Sequence, residues 1–158
     1  MTVVSASMTG SESALLSGFR RLPGIETPWR QPSPAGSDPY QAFLRTMYNA
    51  FDQAEGRLFE WFRSPAAFAD EDTDQPSLTA IQRAIHFVQL LRSDAGYLRC
   101  FEGTRLRGVS IGTAGSIILE FGNADRTITC SFEPDGTAEQ IVIADGQILR
   151  GPITLPLI

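Results

Sequence analysis

The sequence predicts an α+β fold, with two N-terminal helices packed on one face of a C-terminal antiparallel β-meander of three to five strands. Three observations carry that expectation. Between residues 38 and 93 the apolar residues recur every three or four positions, the period of a helix face. After Gly96 they recur every second position, the period of a half-buried strand. The alternating runs are joined by connections of a few turn-forming residues, too short for the crossover that parallel strands require.

Residues 1–37 read as a flexible tail. Pro23, Pro28, Pro32 and Pro34 interrupt any helix, and Ser and Gly fill the gaps. Within it, residues 13–22 place Leu15, Leu16, Phe19 and Leu22 at helical spacing, a short amphipathic helix that needs a surface to lie on. A single α+β domain is expected over residues 38–158. Its first helix should run over 38–64. Asp38 is a capping residue, Pro39 fits the first helical position, and Gln41 stands where a capping-box partner reaches back. Tyr40, Leu44, Met47, Phe51, Ala54, Leu58 and Trp61 then form one seam, and Pro65 stops the helix. An acidic linker, Asp70-Glu71-Asp72-Thr73-Asp74, precedes a second helix over 77–93, where negative charge suits the helix N-terminus. Leu78, Ile81, Ala84, Ile85, Val88 and Leu91 are its expected buried stripe, and Thr79, Gln82, Arg83, His86 and Gln89 its wet face.

The sheet is expected over residues 97–150. Tyr97–Phe101 reads as a first short strand. Val109 and Ile111 alternate with small residues, and Ile117, Leu119 and Phe121 share one face of the next run. Ile128, Cys130 and Phe132 do the same in the run after it, then Ile141 and Ile143 lie opposite Val142, and 147–150 can add a strand. Gly122-Asn123-Ala124-Asp125, Pro134-Asp135-Gly136-Thr137 and Asp145-Gly146 are the turns. The face bearing Ile117, Leu119, Phe121, Ile128, Cys130 and Phe132 is the one the helices should cover, giving a two-layer sandwich.

Composition narrows the function classes. The 158 residues carry a net charge of −5 and are 42% apolar, enough for a core. All 13 basic residues are arginine, which suggests a GC-rich coding sequence and a bacterial source. The arginines are dispersed apart from Arg20-Arg21 and the group Arg99, Arg105 and Arg107, so no concentrated footprint for nucleic acid is expected. No apolar run approaches the roughly 18–20 residues of a membrane span, and the N-terminus lacks the pattern of a secretory signal, so a cytoplasmic protein is expected. In that reducing setting Cys100 and Cys130 are expected to stay unbridged.

The residues that carry chemistry are few, and no cofactor or metal is expected. His86 is the only histidine, and one imidazole without neighbouring ligands makes neither a metal site nor an oriented base. The enzymatic alternative is a dyad of Cys100 with His86, with Arg99 and Arg105 favouring the thiolate. Cys130 reads as core. Asp70, Asp72 and Asp74 have the spacing that opens a calcium loop, but Gln75 and Ile81 replace its glycine and its bidentate glutamate. Glu120 and Glu133 can face the same way as paired carboxylates, although exposed sheet positions explain both. A third possibility is a small-ligand pocket on the sheet.

The segment from Pro76 to Ile143, under half of the chain, resembles a group of small bacterial proteins of unassigned function. It begins with a helix of the form Pro-Ser-x-x-Ala-Ile-x-x-Ala (Pro76 to Ala84). After a loop comes Gly115-Ser-Ile-Ile-Leu-Glu-Phe121, then an alternating strand and Pro134-Asp-Gly136. Those proteins carry a Gly-x-Ile-x-Leu-Glu-Trp strand at the start of a meander, and Phe121 stands here in place of the Trp. The resemblance implies a gene encoded beside a partner gene and a protein-binding role, and supplies no catalytic residue.

The apolar surplus agrees with such a role. Phe59, Trp61 and Phe62 wrap around the end of the first helix, the C-terminal Pro152–Ile158 is apolar, and Leu15, Leu16 and Phe19 add a third patch. A protein partner or a homodimer is therefore expected at Leu15, Leu16, Phe19, Phe59, Trp61 and Phe62. The whole reads as a non-enzymatic binding or accessory protein, antitoxin-like or immunity-like.

Overall fold

Asp38 caps the first helix, its carboxylate accepting the Tyr40 amide at 3.0 Å, with Pro39 opening the first turn. The structure is a computed structural model and describes residues 38–69 and 73–155. Helix α1 (Pro39–Arg63) buries Met47, Phe51, Ala54, Leu58 and Trp61, while Tyr40 and Leu44 at its start are only half-buried. It ends at Ser64, and Pro65–Phe68 form a 3-10 turn. Helix α2 (Leu78–Ser93) is capped by Ser77, whose hydroxyl accepts the Ala80 amide at 3.4 Å.

The buried stripe of α2 differs from the expected one at both edges. Leu78 is 48% exposed, and Phe87 and Ala80 are fully buried. α2 is packed on one side by α1 and on another by the sheet, so its apolar arc is wider than a single seam. Phe87 fills the second side. Its ring lies 5.4 Å from that of Phe132, 6.2 Å from Phe101 and 6.1 Å from Tyr97.

Residues 97–101 are not a strand. Asp94 accepts the Tyr97 amide at 3.0 Å and caps a short helix α3 (Ala95–Arg99), which sends Leu98 and Phe101 into the core. Five residues are too few for period to separate strand from helical turn, and the cap decided it. The sheet therefore begins at residue 105 and runs to 154, rather than 97 to 150.

The sheet holds β1 (Arg105–Ile111), β2 (Ile117–Gly122), β3 (Arg126–Phe132), β4 (Ala138–Ala144) and β5 (Gln147–Thr154), all antiparallel and in sequence order. Its core face carries the six expected residues from β2 and β3, with Leu106 and Val109 from β1. α1 lies over β1, and α2 lies over β2 and β3. Arg57 of α1 donates to the Val109 carbonyl at 3.3 Å, giving an edge-strand acceptor a partner. Across the helix pair, Arg92 of α2 bridges Asp52 and Glu55 of α1 at 2.5 and 2.9 Å. The Asp52 hydrogen bond, with both carboxylates adding to it, raises the Arg92 guanidinium's pKa.

The resemblance motifs meet at the start of α2. Ser77 donates its amide to the Gly115 carbonyl at 2.9 Å, and Asp74 accepts the Ala114 amide at 2.7 Å. Gly115 has φ of +79°, and a Cβ there would collide with the Gln75 carbonyl. Gly136 of the Pro134-Asp-Gly turn, at φ +88°, lies beside Thr79 and Arg83. These motif residues thus hold the helix layer to the sheet.

At the other end, β5 is an edge strand with every residue exposed. Its register against β4 shifts between Gln140 and Val142 and again between Val142 and Ile143, leaving extra residues on β5. Pro152, which has no amide to give a ladder, falls at the first of these bulges.

Candidate functional site

The helix period decides which aromatics at the end of α1 reach the core. Leu58 and Trp61 continue the buried seam, so Phe59 and Phe62 turn outward and stay 42% and 37% exposed. Trp61 is only 6% exposed, edge-on to Phe68 at 6.2 Å, with the Arg57 guanidinium 6.0 Å from its ring. Of the three aromatics at the end of α1 expected to meet a partner, Trp61 therefore belongs to its own core. Leu15, Leu16, Phe19 and the 13–22 helix lie outside the described residues.

Phe59 and Phe62 open onto a hollow of about 330 Å³ against α2, completed by Gln82, Ile85, His86 and Gln89. Its floor is apolar, its rim is amide and imidazole, and no charged side chain lines it. His86 is exposed there, on the wet face of α2.

Cys100 lines a different hollow, between α3 and the β4–β5 hairpin, and shares no hydrogen bond with His86. The reason is helical geometry. Phe87 is the residue of α2 that faces α3, and His86 is turned about 100° from it. Arg99, expected to favour the Cys100 thiolate, instead holds its guanidinium 6.0 Å from the Tyr40 ring. Cys130 is buried beneath the helices, and burial pushes its thiol up to about 12. Both cysteines are unbridged.

Glu120 pairs with Arg107 at 3.4 Å, and Arg107 also donates to the Asn123 carbonyl. Glu120 stands opposite Thr129 in the register, so Glu133 is four residues away along the neighbouring strand, about 13 Å, too far to share a proton. Asp70 and Asp72 lie outside the described residues, and Asp74 is engaged with the Ala114 amide. Among the described residues no group of three or more His, Cys, Asp or Glu is placed to hold a metal, and no helix is long and apolar enough to cross a membrane.

The hollow beside Cys100 lies on the sheet, where a small-ligand pocket is the third possibility, and takes in Ile153 and Leu155 of the apolar C-terminal segment. It measures about 500 Å³, and Arg126, Val142, Arg150 and Ile153 line it from the sheet side. Its signal in the sequence is the pair of apolar residues Leu149 and Ile153 on the last strand, but periodicity gives no indication of whether a helix lies over them. No protein-family model, curated protein or solved structure matches this chain.

Proposed function

We propose that this chain is a non-enzymatic protein-binding or accessory protein of a cytoplasmic bacterial protein pair, antitoxin-like or immunity-like, and that it docks through the Phe59–Phe62 surface. The observation that carries this reading is the exposure of two phenylalanines, one turn apart, over an uncharged hollow. Aromatic side chains anchor interfaces when a partner can desolvate them fully, and amide rims supply hydrogen bonds without the desolvation cost of charge. A complementary partner presents an apolar knob flanked by hydrogen-bonding groups. The likeness of Pro76–Ile143 to small proteins encoded beside a partner gene points the same way. Cys100 and His86 line separate hollows, which leaves the cysteine-dependent alternative without a geometric footing.

The test uses the purified full chain with the purified product of the adjacent gene. Complex formation is expected by light scattering, and lost when Phe59 and Phe62 are both replaced by Ser. Each is partly solvated, so the double variant should still fold. If the adjacent product does not bind, and the wild-type chain is monomeric at high concentration, the proposal fails.

A further inference from the structure

The helical layer is narrower than the sheet. α1 and α2 pack mainly on β1 to β3, and β4 and β5 extend past them, leaving an open lane beside α3. The strand register orders the side chains along that lane. Arg126 stands opposite Ala144 at one end. One step along, Ile128, Val142 and Arg150 lie side by side, and the next step brings Gln140 and Ile153, with their β3 neighbour Cys130 buried in the core. Leu155, whose amide donates to the Ala138 carbonyl, closes the far end. The lane thus runs about 20 Å from a cationic end to an apolar one. Tyr97 of α3, with Cys100 and Phe101 just after it, walls it on the other side.

The two arginines are not neutralised within the described residues. Neither takes part in an ion pair there, and the one protein acceptor for either is the Glu102 carbonyl, 3.2 Å from Arg126. A hollow of about 500 Å³, mostly apolar, with its two arginines at one end and Gln140 and Thr154 as the further polar groups from the sheet, has the size and polarity of a small-ligand site. Guanidinium is the group best shaped to hold a carboxylate through paired hydrogen bonds.

We propose that this lane binds a free single-chain carboxylate, its acid group held by Arg126 and Arg150 and its hydrocarbon chain laid over Val142 and Ile153 towards Leu155. This site is separate from the Phe59–Phe62 surface and stands or falls independently of it.

Cys100 sits on the wall of the lane and reports on its occupancy, while buried Cys130 serves as the silent control. The probe is decanoate, below its micelle concentration, added to the full-length chain during alkylation with N-ethylmaleimide and followed by mass spectrometry. Decanoate is expected to slow Cys100 alkylation several-fold and saturably, with decanol and decyltrimethylammonium having little effect. Arg126→Gln and Arg150→Gln should each raise the half-protecting concentration about tenfold, the loss of one charge-assisted hydrogen bond. Arg150 is exposed on the edge strand, so its variant should keep the fold, with the melting curve as the check. Absent protection, equal protection by all three amphiphiles, or unchanged protection in folded Arg150→Gln overturns the proposal.

Discussion

Replacing Phe87 by Ala tests the reason the helix layer and the sheet hold together. The side chain is fully buried and touches three other rings, one from β3 and two from the α3 region. Truncating a buried Phe costs about 3–5 kcal/mol, from lost transfer energy and the cavity left behind. Three ring contacts worth about 0.5–1.5 kcal/mol each place Phe87 in the upper part of that range. A loss of about 4 kcal/mol is therefore expected. With a urea dependence of about 2 kcal/mol per molar, the unfolding midpoint should fall by about 2 M. The informative control is Leu78→Ala on the same helix. Leu78 belongs to the stripe read from periodicity but is nearly half exposed, so its loss should cost within about 0.5 kcal/mol. Both are measured by urea titration of the helical circular dichroism signal. If Leu78→Ala costs more than Phe87→Ala, or Phe87→Ala costs under about 1 kcal/mol, the placement of α2 between α1 and the sheet is wrong.

Gly115→Ala should lower stability by about 2–3 kcal/mol, since it combines a left-handed backbone with a collision at the Gln75 carbonyl, whereas Gly56→Ala, in open space on α1, should raise it by about 0.5–1 kcal/mol. Thermal melts of the two variants should shift in opposite directions. In the native protein at about pH 8 an alkylating reagent should modify Cys100 and spare Cys130, and in urea it should modify both; early modification of Cys130 would contradict its burial. Because burial raises the Cys130 pKa from 9.0 to about 12, the unfolded chain releases that proton first. Its contribution to stability is complete below pH 9 and declines by about 1.4 kcal/mol per pH unit up to about pH 12, a slope Cys130→Ala should lack in urea titrations across that range. Asp135 accepts both the hydroxyl and the amide of Thr137, at 2.7 and 2.8 Å, and the hydroxyl bond first, then the amide, holds its carboxyl below the ordinary value. Its effect on stability is present above the ordinary pKa and is lost as pH falls through the lowered one, and Thr137→Val should move the carboxyl's NMR titration back upward.

The sites are less legible in the sequence than the elements. Phe59 and Phe62 are identifiable because aromatics beyond a complete seam have nowhere local to go. Trp61 groups with them by residue type, although its spacing from Leu58 continues the seam and takes it into the core. Tyr97–Phe101 is ambiguous for a related reason. A five-residue run fits either period, and the outcome depends on Asp94 capping it and on the rings of Phe87 and Phe121 that meet Phe101.

Features legible in the chain alone are local ones. Asp38 and Ser77 start the two long helices, and the stops after Ser64 and Ser93 bound them. Two-residue alternation marks the faces of β2 and β3, and the short turns after Phe121 and Phe132 require antiparallel neighbours. Each arises from backbone geometry within a few residues. Three others come from packing: α2 is covered on two sides, Trp61 turns inward, and two long helices leave the lane over β4 and β5 open. Those outcomes depend on how wide the sheet is relative to the helices that cover it, and that width is set by residues far apart in the chain.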